Sequence, residues 1–94
     1  MIKSFIDNDT EKLFHGHKPR KLPNEIWWRG TRKLLILHAD TDLGELSVPP
    51  GNRLEKLGGD RAGQYSIRIN NEWRVCFQWR EGHAYLVEIT DYHS

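Results

Sequence analysis

The sequence predicts an α+β fold in which two N-terminal helices pack on a small antiparallel β-sheet with a short N-terminal strand. Three observations carry that reading. Apolar residues alternate along three C-terminal runs: Tyr65, Ile67 and Ile69; Trp73, Val75, Phe77 and Trp79; and Tyr85, Val87 and Ile89. Two upstream segments show helical spacing instead, one ending near Phe14 and one running from Pro23 to about Ala39. With 94 residues, 37% hydrophobic and 29% charged, the chain suits one compact domain over residues 1–94, too short for two.

The opening MIKSFID alternates Ile2, Ser4 and Ile6 against Lys3 and Phe5, which suits an edge strand of the same sheet. Asp9 or Thr10 is expected to cap the first helix, whose apolar stripe is Leu13 and Phe14, and His15 to Pro19 end it. His15 and His17 stand two apart in a basic loop with no carboxylate or thiol at ligand spacing, which argues against a metal site. In the second helix Ile26, Trp27, Thr31, Leu34, Leu35 and His38 form the face that covers the sheet, opposite Arg29, Arg32 and Lys33. Trp27 and Trp28 are adjacent, about 100° apart around a helix, so one of them is expected at the surface as an interface marker.

Residues 40–63 lose periodicity and contain Pro49, Pro50 and several glycines, so they read as a loop carrying Arg53, Lys56 and Arg61. Leu46, Val48, Leu54 and Leu57 are expected to pin it to the core. A turn of Asn70, Asn71 and Glu72 then sets Ile67 opposite Val75 and Tyr65 opposite Phe77; a two-residue turn would scramble the faces. A second turn of Glu81, Gly82 and His83 sets Trp79 opposite Tyr85 and Val75 opposite Ile89. On the other face Arg68 meets Arg74 directly, with Thr90 next in the row and Tyr92 further along the last strand. Facing like charges cost up to about 1 kcal/mol, so they call for shielding by acids such as Glu88 and Asp91, or for an anion.

A net charge of +1 excludes bulk electrostatic attraction to nucleic acid and leaves only local patches. The single cysteine, Cys76, forms no intramolecular disulfide and belongs to no metal-binding spacing. The expectation is a reduced, cytoplasmic setting, without a signal peptide or a membrane span.

The run PPGNRLEKLGGDRAGQYSIRINNEWRVCFQW, with MIKSF at one end and DYH at the other, resembles the HigB-like branch of the RelE toxin superfamily. That resemblance implies a RelE-like fold, with two helices packed on a small antiparallel sheet. It also implies the toxin of a type II toxin–antitoxin pair, a metal-independent endoribonuclease that cuts messenger RNA in the ribosomal A site. An adjacent helix-turn-helix antitoxin of the HigA type neutralises such toxins, and the complex represses its own operator DNA. No metal or organic cofactor is implied.

Carried onto this sequence, the family's catalytic positions are Arg74 of EWR and the terminal Asp91, Tyr92 and His93. Arg53, Lys56, Arg61 and Arg68 are the candidate RNA-binding residues, Arg68 matching this branch of the family rather than all of it. One position departs. Family members usually carry lysine immediately before GDR, where this chain has Gly58, with Lys56 two residues earlier. The departure leaves a second reading open, a weakened toxin acting mainly as antitoxin partner and corepressor.

Metal-independent cleavage needs a base for the 2′-hydroxyl, charge stabilisation on the phosphate and a proton for the departing 5′-oxygen. Arg68 and Arg74 suit the second requirement. His93, whose ordinary pKa lies near neutrality, suits proton transfer, with Asp91 as its orienter or as an alternative base. Tyr92 suits stacking on a base or hydrogen bonding to phosphate.

Overall fold

A computed structural model describes residues 1–91, so Tyr92 and His93 lie outside the described residues. Four strands, β1 (Glu55–Lys56), β2 (Tyr65–Arg68), β3 (Arg74–Arg80) and β4 (His83–Thr90), form one sheet in the order β1-β2-β3-β4, every pair antiparallel. Helices α1 (Asn8–Phe14) and α2 (Trp27–Ala39) cover the face that carries Ile67, Val75 and Ile89.

The first hairpin has the register that the alternation requires: Tyr65 faces Phe77, Ile67 faces Val75 and Arg68 faces Arg74. Its turn is built by Asn70, whose side-chain oxygen accepts the N–H groups of Glu72 and Trp73, each at 2.8 Å. This is the Asx geometry that asparagine favours over longer polar residues.

The second hairpin differs from expectation. Val75 faces Ile89, but Trp79 faces Ala84 rather than Tyr85, and His83 pairs with Arg80 instead of sitting in the turn. The turn is the two residues Glu81 and Gly82, with φ of 51° and 81°, a conformation that matches the twist of the strands. A β-bulge absorbs the difference: from Cys76 to Gln78 is two steps along β3, whereas their partners Glu88 and Tyr85 lie three steps apart. Leu86, at φ 52°, is the residue forced into the left-handed region there. As a result fully buried Ala84 takes the core position, and Tyr85 turns to the other face, where the Arg80 guanidinium lies 4.2 Å from its ring centroid.

The N-terminal segment does not form the expected edge strand. It runs parallel to β4 as two isolated bridges, Ile2 with Ala84 and Phe5 with Val87. The Ala84 N–H donates to the Met1 carbonyl at 3.0 Å and Lys3 N–H donates back to Ala84 at 2.8 Å; Ser4 and Ile6 treat Val87 likewise, each at 3.0 Å. The bulge breaks the ladder between these bridges, and there the Leu86 N–H donates to the Ser4 hydroxyl at 2.9 Å. Further along the same edge the Ile89 N–H donates to Thr10 Oγ1 at 3.0 Å. Thr10 is therefore a fully buried acceptor inside α1, not a cap, and the helix starts earlier, with Asp7 at the cap position.

The buried stripe of α2 reads Gly30, Leu34 and Leu37, preceded by Ile26 in a short 3-10 turn. Leu35, expected inward, is 52% exposed, whereas Leu37 is fully buried. Gly30 lies at the closest part of this packing: a Cβ there would lie 3.1 Å from Leu13 Cδ2 of α1 and 3.5 Å from Ile89 Cδ1. The absent side chain eases the close packing of α2 against α1 at Leu13, whereas the distance to Ile89 on the sheet is that of an ordinary van der Waals contact. Trp27 is half-buried, its indole N–H donating to the Leu22 carbonyl at 2.9 Å, and Trp28 is the exposed one of the pair.

The segment read as a loop contains three 3-10 turns as well as β1, a strand of two residues and too short to show alternation. Leu46 and Leu57 are buried and Leu54 is half-buried, but Val48 is exposed. Asn52 anchors this segment from a fully buried position. Its side-chain amide donates to the carbonyls of Leu46 and Val48, at 3.1 and 3.3 Å, and its oxygen accepts from Lys33 of α2.

Candidate active site

Away from the helices the sheet presents two polar rows. One is Arg68, Arg74 and Thr90; the other is Glu55, Ser66, Cys76 and Glu88. Arg53, Glu55, Arg68, Asn70, Asn71 and Arg74 line a cleft of about 280 Å³ at the end of this face. Of the candidates from sequence, the structure brings Arg53, Arg68 and Arg74 together. Lys56 pairs with Tyr65, so its side chain leaves the opposite face of β1. Arg61 stands over the second row, its guanidinium 3.1 Å from Glu88 Oε1 and 3.1 Å from Gln64 Oε1.

Arg74 is the most firmly held side chain of the cleft. Its Nε–H donates to the Ser66 hydroxyl at 2.7 Å, and an Nη2–H donates to the Arg53 carbonyl at 2.7 Å. Ser66 is fully buried, so its hydroxyl is a fixed acceptor. The Arg53 carbonyl is aimed by a left-handed backbone, φ 45°, directly after the turn that Asn52 anchors. A chain of contacts thus runs from Lys33 through Asn52 and the Arg53 backbone to the guanidinium. Arg68, across the strand pair, donates to Asn71 of the turn.

The facing arginines therefore lean on different partners from those the sequence suggested. Glu88 is engaged by Arg61, and among the described residues the carboxylate that pairs with Arg74 is Glu55, with 3.8 Å between Nη2 and Oε1. Asp91 is exposed immediately after Thr90, the neighbour of Arg74 in its row. Sequence reasoning missed Ser66, Glu55 and Asn71. Ser66 alone had a readable signal, since it shares parity with Arg68 and lies one row from Arg74.

Cys76 lies buried beneath Arg61 and Glu88, and burial holds its thiol above the usual pKa against the pull of Arg61. Among the described residues no three of His, Cys, Asp and Glu gather as a metal site, and no helix is long and apolar enough to cross a membrane.

A second concavity lies between the helices. Leu13, Trp27, Trp28, Thr31 and Leu35 line an apolar groove of about 440 Å³, with Lys18 and Arg32 among its walls. The Trp28 side is unfinished: the residue is 70% exposed, and Arg32 covers its ring at 5.0 Å. Cations crowd this side of α2, where burial first, and then Arg32 and Arg29, lower the pKa of Lys33.

Residues 3–93 match the HigB-like toxin family, described as the RelE-like toxin of type II toxin-antitoxin system HigB. Toxin HigB-1 of Vibrio cholerae is 40% identical over 85 residues, covering 89% of this chain and 90% of that protein. Endoribonuclease HigB of Proteus vulgaris is 34% identical over 93 residues, covering 99% and 100%. Among solved structures, a chain of the heterotetrameric YoeB-YefM toxin-antitoxin complex from Staphylococcus aureus superposes with a TM-score of 0.55 at 20% identity, covering 100% of this chain and 99% of that one.

Proposed function

The chain belongs to the HigB-like family of RelE-like toxins of type II toxin–antitoxin systems, and from that premise we propose that it is a metal-independent endoribonuclease that cuts messenger RNA in the ribosomal A site. The observation that carries this reading is the position of Arg74, fixed through Ser66 and the Arg53 carbonyl at a cleft shared with Arg53 and Arg68. Near full-length similarity to a protein named as an endoribonuclease supports it.

The 2′-oxygen attacks phosphorus as its proton leaves, the bond from phosphorus to the 5′-oxygen breaks, and the departing oxygen takes up a proton. Arg74 stabilises the extra negative charge of the pentacoordinate phosphate, and Arg68 and Arg53 hold flanking phosphate oxygens. Preorganised donors of this kind are typically worth several kcal/mol in the transition state. His93 carries the proton, Asp91 orients it and Tyr92 stacks on a base. Lys56 and Arg61 contact RNA outside the cleft.

The partner is an antitoxin of the helix-turn-helix HigA type, acting in the cytoplasm and carrying the toxin to operator DNA. The Trp28 groove suits it: an apolar floor with cationic walls fits an apolar segment flanked by acids. Gly58 favours the second reading, a weakened toxin that serves mainly as corepressor. Inducible expression without antitoxin separates the two. Wild type is expected to arrest growth and to create new in-frame messenger-RNA 5′ ends, which Arg74→Ala and His93→Ala lose. Folded wild-type protein giving neither arrest nor cuts would leave the corepressor reading.

A further inference from the structure

Glu55 is the single acid among the described residues lining the arginine cleft. It pairs across the strands with Ser66, the residue that fixes Arg74, so its side chain leaves the same face of the sheet. Its carboxylate stands 3.8 Å from Arg74 Nη2, close enough for Coulombic attraction and too far for a hydrogen bond. The two partners differ in freedom: the Arg74 side chain is 13% exposed and doubly anchored, whereas that of Glu55 is 51% exposed on a strand of two residues. A loosely held carboxylate beside a firmly held guanidinium is the arrangement of a competitor, because a phosphate that makes short, paired N–H···O bonds displaces it.

We propose that Glu55 is a built-in rival of the RNA phosphate, occupying Arg74 in the empty cleft and setting how much phosphate contact is needed to open it. This rests on the reading of the cleft as an RNA site, and it concerns selectivity. RNA that offers a single phosphate displaces the carboxylate poorly, whereas a strand held simultaneously at Arg53, Arg68 and Arg74 displaces it readily. Glu55 thereby suppresses unproductive binding to free RNA, and its removal would loosen that discrimination.

The test measures binding of a short single-stranded RNA oligonucleotide to the full-length protein across a salt series. Wild type is compared with Glu55→Gln and with Glu25→Gln, which removes an exposed charge from the turn before α2. Glu55→Gln is expected to bind about three- to ten-fold more tightly, with a salt slope steeper by about 0.7, the increment for one further neutralised phosphate on a single strand. Glu25→Gln is expected to behave as wild type. Unchanged or weaker binding in Glu55→Gln overturns the proposal, as does an equal gain in Glu25→Gln, which would make the effect one of net charge. Cleavage on translating ribosomes, scored in parallel, supplies the other arm: loss of cutting in Glu55→Gln at unchanged RNA affinity would make Glu55 a group of the reaction itself and overturn its role as rival. If wild type does not cut, yet Glu55→Gln binds RNA more tightly, the nuclease reading fails while the rivalry stands.

Discussion

The arginine cleft and the Trp28 groove lie on opposite layers of the fold, and they are finished to different degrees. In the cleft, Arg74 is fixed by Ser66 and the Arg53 carbonyl, and Arg68 is tied to Asn71. In the groove, a 70% exposed tryptophan lies beside an exposed Leu35, with the Arg32 guanidinium across its ring. A surface that must stabilise a transient charge needs its donors set beforehand, since reorganisation at the moment of reaction would cancel the gain. An apolar surface that meets a folded partner can be left open, because burial completes it on contact.

On the proposed function the two surfaces have separate tasks, and their mutations should then be separable. The largest expected effect is in Arg74→Ala, which lowers messenger-RNA cleavage on ribosomes about 10²- to 10³-fold, comparable to the loss of one preorganised charge-stabilising donor. Antitoxin affinity, measured by calorimetry, changes less than about two-fold. Parallel losses in both assays would mean that the antitoxin occupies the cleft itself. Next comes Trp28→Ala, expected to weaken antitoxin binding by about 2 kcal/mol, roughly 30-fold, with cleavage retained.

Ser66→Ala tests the anchor rather than the charge. Losing the acceptor of a charged donor costs about 1.5–3 kcal/mol where the bond is buried, and a roughly ten-fold fall in cleavage is expected while thermal unfolding shows a single cooperative transition. Wild-type cleavage in this variant would make the Arg53 carbonyl sufficient to hold Arg74. The smallest effect is a gain. Gly58 has φ −123°, and a Cβ there would meet nothing within 4 Å, so Gly58→Lys should fold as wild type. Cleavage is expected to rise several-fold, up to about ten-fold, as a further cation joins the site. An unchanged rate would remove Gly58 as a sign of weakened catalysis.

The sequence carried the first hairpin in full, because a three-residue turn and strict alternation leave one register that keeps apolar residues together. That register alone placed Arg68 against Arg74. It misled in the second hairpin because the bulge depends on Leu86 adopting a left-handed backbone, which no hydropathy pattern signals in a leucine. The phase of α2 was shifted for a related reason: its stripe centres on Gly30, and a glycine that matters through close approach looks like a gap in an apolar pattern.

The site was legible where strands are long and illegible where they are short. Arg74 sits on a seven-residue strand, but Glu55 and Lys56 occupy a strand of two, so nothing in the pattern showed that one faces the cleft and the other leaves the opposite face. The anchors of Arg74 depend on tertiary contacts across 8 and 21 residues of sequence.

The docking of Met1 to Ile6 along β4 has a consequence for the protein in quantity. A bare eight-residue edge strand is a template on which further copies can add, and here that edge is capped by the chain's own beginning and by Thr10. The opposite edge is β1, only two residues long and bearing adjacent opposite charges, Glu55 and Lys56. Neither border offers a length on which a second chain could extend the sheet. A protein synthesised in excess of its partner would therefore resist stacking edge to edge, and a tag fused directly to Met1, whose carbonyl accepts from Ala84, would load the seam that provides this protection.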